Sequence, residues 1–269
     1  MVALVDTVDI CYFEVYLRKI KQVIGERPIN YLIINHMEPD HSGSIRLIKQ
    51  HYPEIIIVGN KQTFGMIEGF YGVTGEQYLV KEGDFLALGH HKLRFYMTPM
   101  VHWPETMMTF DETDGVLFSG DGFGCFGTVD GGFLDTRINV DKYWGEMVRY
   151  YSNIVGKYGS PVQKALQKLG GLPISAICST HGPVWTENIA KVIGIYDRLS
   201  RYDADEGVVI AYGSMYGNTE QMAEAIAEEL SAQGVKNIVM HNVTKSHPSY
   251  IIADIFRYKG LIIGSPTYS

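Results

Sequence analysis

Short apolar runs closed by turn-forming residues alternate along the chain with stretches whose apolar residues recur every third or fourth place, the pattern of an α/β protein. The runs predict strands at Tyr31–Asn35, Ile55–Val58, Phe85–Leu88, Lys92–Thr98, Met107–Phe110, Gly115–Ser119 and Ile174–Ser179. Helical spacing predicts helices at Gly43–His51, Thr63–Tyr71, Asp141–Lys157, Pro161–Leu169 and Glu187–Arg201, with Gly159-Ser160-Pro161 separating the third from the fourth. Phe85–Ser119 reads as an antiparallel meander.

Beyond the acidic stretch Tyr202-Asp203-Ala204-Asp205-Glu206 the pattern becomes strict strand–helix–strand–helix–strand. Strands Val208–Tyr212, Asn237–Asn242 and Gly260–Gly264 flank helices Thr219–Gln233 and Ser249–Phe256, which predicts a parallel βαβαβ unit. Two domains are expected, residues 1–203 and residues 207–269.

Composition narrows the function. With 46% hydrophobic and 20% charged residues, the chain has the make-up of a soluble globular protein. Its net charge of −7 and its lack of a Lys/Arg stripe argue against a nucleic-acid partner. No apolar run is long enough to span a membrane, and the opening MVALVDTVDICYFEVYLRK places acids among its apolar residues with no basic region ahead of them. A cytoplasmic location is the expectation. Cys11, Cys125 and Cys178 form no C-x-x-C pair and read as reduced, packed thiols.

The densest chemistry lies in His36-Met37-Glu38-Pro39-Asp40-His41, which follows an apolar strand and runs into a helix start. On an extended segment alternate side chains share a face, so His36, Glu38 and Asp40 can point together while a turn at Asp40-His41 brings the second imidazole round. Three later strands each end in a further ligand type: His102, Asp121 and His181. Imidazole suits several transition metals, and the added carboxylates move the preference from zinc towards iron or manganese. Trp103, Phe123 and Phe126 are candidates for an apolar wall, with Trp103-Pro104-Glu105 flanking the ligands. His51, His90, His91, His241 and His247 read as solvated or locally bonded.

The order and spacing of these ligands resemble the metallo-β-lactamase superfamily. Glu38, standing where its hydrolases carry the second histidine of His-x-His-x-Asp-His, is similar to the flavodiiron proteins. The resemblance spans Val2 to Arg201. It implies an αββα sandwich in which one iron is held by His36, Glu38 and His102 and a second by Asp40, His41 and His181, with Asp121 bridging. A dizinc hydrolase of the glyoxalase II or lactamase type is the alternative reading of the same residues.

A second constellation, Ala211-Tyr212-Gly213-Ser214-Met215-Tyr216-Gly217-Asn218-Thr219, follows a strand and opens a helix, so backbone N–H groups and hydroxyls can converge on a phosphate. It matches neither the dinucleotide nor the nucleoside-triphosphate glycine loop. It resembles the FMN phosphate loop of flavodoxins, which implies FMN contacts from Ser214, Met215, Tyr216, Gly217, Asn218 and Thr219. Gly264-Ser265-Pro266-Thr267-Tyr268 resembles the next flavin loop, adding Pro266, Thr267 and Tyr268. Both lie at the carboxyl ends of strands, where open α/β sheets bind ligands.

Together the resemblances imply reduction of a small diatomic gas, dioxygen to water or nitric oxide to nitrous oxide, with electrons from rubredoxin or another flavin- or nicotinamide-linked donor. They imply a head-to-tail homodimer or a tetramer. A flavodoxin-like doubly wound sheet has five strands in the order 2-1-3-4-5, so three strands make a partial one. The expectation is a fragment of a longer chain, or one completed by a second polypeptide, that alone holds FMN weakly.

Overall fold

The computed structural model describes residues 1–267. Strands β1 (Ala3–Val5), β2 (Tyr31–Ile33), β3 (Ile56–Gly59) and β4 (Gln77–Leu79) pair in chain order as a parallel sheet. Its connections are helical: α1 (Phe13–Ile24), the single turn α2 (Pro39–Ser42) running into α3 (Ile45–His51), and α4 (Lys61–Tyr71). Phe13, Leu17 and Ile20 of α1, Ile45 and Ile48 of α3, and Phe64 and Ile67 of α4 bury against Leu32 and Ile57 on one face of this sheet. Each such side chain contributes about 1.5–3 kcal/mol of transfer free energy.

A second sheet contains β5 (Phe85–Leu88), β6 (His91–Met97), β7 (Met107–Asp111), β8 (Val116–Gly120), β9 (Ala176–Ser179) and β10 (Val184–Trp185), in the order β10-β9-β8-β7-β6-β5. From β5 to β8 it is the expected antiparallel meander, and β9 joins β8 in parallel. Its outer face is covered by α5 (Asp141–Tyr150), α6 (Gly159–Leu169) and α7 (Ile189–Ser200), whose Met147, Val162 and Val192 pack with Leu117, Ile177 and Trp185. Ile33 and Val58 of the first sheet meet Leu86, Leu93, Phe95 and Met107 of the second in a shared apolar layer. Helices outside, two sheets inside: the architecture is the αββα sandwich.

Several features depart from the sequence expectation, among them the short strands β4 and β10, where none was assigned. β1 and α1 lie in the opening stretch, where no element was assigned; α1 spaces Phe13, Leu17, Ile20 and Ile24 for one buried stripe and ends at Gly25, whose φ of 62° suits glycine. Asp141–Lys157 is not one α-helix, because α5 stops at Tyr150 and widens into a π turn, Tyr151–Val155, and a 3-10 turn, Gly156–Tyr158. The helix expected from Pro161 begins two residues earlier, at Gly159, with Pro161 in the first turn of α6, where its missing N–H costs nothing. Cys11 is exposed rather than packed, while Cys125 is buried.

The third sheet holds β11 (Asp205–Tyr212) between β12 (Ile238–Asn242) and β13 (Tyr258–Gly264), all parallel, with α8 (Asn218–Ala232) and α9 (Pro248–Arg257) as crossovers. The spatial order 2-1-3 is that of the start of a flavodoxin-like sheet. Helix α9 packs on α5 and on the π turn. There Arg149 donates to the Ser249 hydroxyl at 2.9 Å and stacks between the rings of Phe126 and Tyr250, and Asn153 donates to the Ser249 carbonyl at 3.0 Å.

Candidate metal centre and phosphate loop

His36 leaves the end of β2 on a backbone pinned by Asp6, whose Oδ1 accepts from the N–H of Asn35 (2.7 Å) and of His36 (3.3 Å). Pro39 at the first position of α2 then forces a helical turn. Asp40 and His41 therefore reach the centre from a helix rather than through strand alternation, a correction to the extended reading of this loop. Gly120, with φ 56°, turns the chain at the end of β8 to present Asp121. Gly182, with φ 89°, does the same after His181, and a side chain there would run into Cys125 Sγ.

All seven sequence-selected ligands converge in two groups, His36, Glu38, His102 and Asp121 in one and Asp40, His41 and His181 in the other. Asp121, 1% exposed, joins them. Its Oδ2 lies 3.0 Å from His102 Nε2 and 3.6 Å from His36 Nε2, while its Oδ1 lies 2.9 Å from His41 Nε2 and 3.3 Å from His181 Nε2. Glu38 Oε2 faces the first pair of imidazoles at 3.0 and 3.3 Å, and Asp40 Oδ2 faces the second pair at 3.3 Å each. Donor atoms held about 2.1 Å from one ion stand roughly 3.0–3.4 Å apart at right-angle to tetrahedral geometry, so these spacings fit a metal in each group. His41 Nε2 is buried and off the hydrogen-bonding direction of its carboxylate neighbour, and Asp40 Oδ1 is also buried without a hydrogen bond. Such orphaned atoms are costly unless a cation takes them.

Metal-free, the cluster holds itself together with protons. Burial works against charge on His36, yet hydrogen bonds to Glu105 and Glu38 raise it to about 10. The same contest, won by Asp121 and Glu38, puts His102 at about 8, and Asp121 and Asp40 put His181 at about 9. Hydrogen bonds from His102 and His36 lower Glu38 to about 2. Burial alone would raise Asp121, but His102, His181 and His41 hold it far below the carboxylate range.

These directions fix a pH dependence. The three imidazoles are protonated in the folded metal-free state well above their ordinary value of 6.5, so they stabilise it fully below that pH and cease to do so as pH rises through 8–10. A metal needs them neutral and must expel their protons. Loading both positions near pH 7 is expected to release about three protons, with affinity rising steeply up to pH 8 and flattening by pH 10. Calorimetry of metal uptake in buffers of different ionisation enthalpy counts the protons; release of fewer than one would contradict this ladder.

Around the ligands, Thr180 Oγ1 donates to Asp121 Oδ1 at 3.0 Å, and the Tyr150 ring leans on His181 at 5.5 Å. Trp103 meets His36 edge-on at 5.3 Å, as an apolar wall requires. Phe126 touches the centre only through Tyr150, and Phe123 is a core residue packed on Tyr196. Asp6, Thr180 and Tyr150 were not singled out in the sequence. The buried floor is His36, His41 and Asp121, and the cup opens on the side of Glu38, Asp40 and His181, whose side chains are 36–41% exposed. Of the remaining histidines, His51 and His90 are exposed, and three are locally engaged: His91 with Asp111 at 2.7 Å, His241 with Asp254 at 2.9 Å, and His247 capping α9.

In the third sheet, Ser214–Thr219 links β11 to α8 and Gly264–Thr267 leaves β13 beside it. Ser214 Oγ accepts from the Gly217 N–H at 3.1 Å, shaping the loop, and Gly217 takes φ 87°. Among the described residues, no acceptor is recorded for the N–H groups of Met215, Tyr216, Asn218 and Thr219, which leaves donors free at a helix N-terminus. A Cβ at Gly264 would stand 3.2 Å from Thr219, and one at Gly213 would stand 3.9 Å from Pro266, so the two loops adjoin. Thr267 follows Pro266 in this loop; Tyr268 lies outside the described residues.

Comparison with known proteins agrees with both halves. The family model "ODP family beta lactamase" matches residues 1–182, and the flavodoxin model matches residues 210–269. The chain is 32% identical over 269 residues to the anaerobic nitric oxide reductase flavorubredoxin of Vibrio vulnificus, covering 98% of this chain and 54% of the relative. To the protein of the same name from Escherichia coli it is 31% identical, covering 98% and 56%. It thus spans about half the length of these relatives. Rubredoxin oxygen:oxidoreductase from Desulfovibrio gigas superposes with a TM-score of 0.95 at 30% identity, covering 99% of this chain and 67% of that one. The flavodiiron protein from Giardia intestinalis does so with 0.95 at 26%, covering 99% and 66%.

Proposed function

The chain belongs to the flavodiiron proteins, and from that premise we propose that it serves the reduction of nitric oxide to nitrous oxide, of dioxygen to water, or of both. One observation carries the reading. Asp121 offers one oxygen to each of two groups of ligands, and Glu38 and Asp40 give each group a carboxylate of its own. Three carboxylates among seven ligands suit a hard metal in more than one oxidation state better than zinc.

His36, Glu38, His102 and Asp121 would hold one iron, and Asp40, His41, His181 and Asp121 the other. Ser214–Thr219 with Pro266, Thr267 and Tyr268 would hold FMN, through neutral donors and backbone N–H groups. Bound there, two irons would supply redox chemistry towards a diatomic molecule, and FMN would supply a store of electrons. The chain's own part is to aim imidazole nitrogens, to neutralise the cations and to limit access. Trp103 and the Tyr150 ring crowd the floor, while the open side between Glu38 and His181 admits a small molecule. Tyr150 keeps its hydroxyl proton at any working pH, because burial, with Asp121 nearby, pushes it well above 10.

Electrons would arrive from rubredoxin or a related flavin- or nicotinamide-linked donor. A head-to-tail homodimer, or a tetramer built from it, would bring the flavin of one protomer to the metal centre of the next. The site of action would be the cytoplasm; no helix among the described residues is long and apolar enough to cross a membrane.

Metal analysis with stopped-flow reoxidation tests the proposal. Two irons per chain with visible charge-transfer absorption, and rapid reoxidation of the reduced protein by nitric oxide or dioxygen, are the expected result. Two zinc ions with ester or lactam hydrolysis, and indifference to either gas, would end it in favour of the hydrolase.

A further inference from the structure

Among the described residues, His36 is the one of the four candidate ligand histidines with a carboxylate on its outer nitrogen: Nδ1 lies 2.9 Å from Glu105 Oε1. Every ion pair recorded for His41, His102 and His181 is made by Nε2, the nitrogen that faces the centre. Glu105 is 1% exposed and doubly fixed. Its Oε1 also accepts from the Met37 N–H at 2.9 Å, and its backbone carbonyl accepts from the Asn60 amide at 2.6 Å. Oε1 has a lone pair for each of two donors, and an imidazole whose Nε2 faces a metal carries its proton on Nδ1, so the His36 contact is Nδ1–H donating to Oε1. That leaves Nε2 of His36 with its lone pair towards the metal.

The other oxygen of Glu105 is buried without a partner. A buried carboxylate half satisfied in this way is costly unless positive charge stands close by. Two divalent ions among Glu38, Asp40 and Asp121 leave one uncompensated positive charge. Of the further buried carboxylates nearby, Asp6 stands near both His41 and His36, whereas Glu105 stands against the outer nitrogen of His36.

We infer that Glu105 is a positioning residue that fixes His36 for ligation and sets a buried negative charge beside one of the two metal positions, making the two unequal in affinity. This rests on the two-metal reading proposed above. An outer carboxylate on a ligating imidazole raises its basicity, and removal of such a partner costs about 10–100-fold in metal affinity.

The test is titration of metal-free, anaerobic protein with cobalt(II) against a competing chelator, read by its visible absorption bands. Glu105→Gln keeps the acceptor and the shape and removes the charge. With His181→Ala, which leaves the His36 position intact, E105Q should weaken the remaining site about 10–100-fold. With His102→Ala, which leaves the Asp40–His41–His181 position, it should change affinity by no more than about twofold. Equal losses in both backgrounds, or none in the first, would overturn the inference. Failure of the unsubstituted protein to take up two ions would instead defeat the two-metal reading. Should E105Q not fold, the zinc-loaded wild type decides the matter by imidazole NMR. His36 should be the Nδ1–H tautomer with the slowest-exchanging ring proton of the four, and exchange as fast as the others would refute the role of Glu105.

Discussion

If the proposed function holds, Asp121→Ala is expected to reduce metal content from two ions to at most one per chain and to lower the proposed gas-reducing activity by about a thousandfold or more, a loss of roughly 4 kcal/mol. The substitution removes the side chain that, among the described residues, faces both ligand groups. It leaves four imidazoles and two facing carboxylates with nothing between them, so two cations there would repel without an anion to divide. The metal-free protein reports the same loss independently. His102 and His181, held at about 8 and about 9 chiefly against burial by Asp121, should titrate closer to 6.5 in the variant. Elemental analysis and histidine NMR titration measure the two effects. Two tightly held metals with wild-type turnover in D121A would show that another group bridges.

The legibility of the centre in the sequence has a physical basis. His102, Asp121 and His181 each follow an apolar run that has to end, and a side chain placed just past a buried strand is held at the rim of a sheet whatever its neighbours do. His36 and Glu38 were legible for the same reason. Asp40 was placed on the right side by the wrong device, because Pro39 nucleates a turn that strand alternation does not describe. Asp6 and Thr180 carry no such signal. Each acts through one hydrogen bond or two to a residue far along the chain, at separations of 29 and 59 positions, and nothing in local spacing encodes that. The break of α5 at Tyr150 was equally silent, since the apolar period continues through the π turn where Tyr151 and Val155 are buried. In the third sheet right-handed crossovers permit either 1-2-3, the order of the first sheet, or 2-1-3, so the observed order came from the resemblance of its loops to flavodoxins and not from spacing.

Asp135→Ala should be among the most damaging substitutions outside the candidate metal centre, costing about 2–3 kcal/mol of stability and lowering the midpoint of thermal unfolding by roughly 5–10 °C. Asp135 is 3% exposed and serves as a clasp between the loop after Asp121 and the segment between His181 and α7. Its Oδ1 accepts from the Thr186 N–H at 3.0 Å and from the Thr186 hydroxyl at 2.6 Å. Its Oδ2 accepts from the N–H groups of Glu187 (3.1 Å) and Asn188 (2.9 Å) and from the Asn188 amide (2.9 Å). Alanine would leave three backbone donors ahead of α7, those of half-buried Thr186 and Asn188 and of exposed Glu187, without their carboxylate acceptor. Burial opposes the charge of Asp135, but the bonds from Thr186 and Asn188 prevail and lower its pKa. Its contribution is therefore complete above the ordinary carboxylate value and is lost as pH falls through the lowered one. The difference in unfolding free energy between D135A and wild type should accordingly be constant at neutral pH and shrink in strong acid. Asp135→Asn, which keeps one acceptor and gives up the charge, should lie between the two. A D135A protein with an unchanged melting temperature would mean that the segment before α7 is held by its packing alone, chiefly by Trp185, whose indole N–H bonds the Phe123 carbonyl at 3.1 Å.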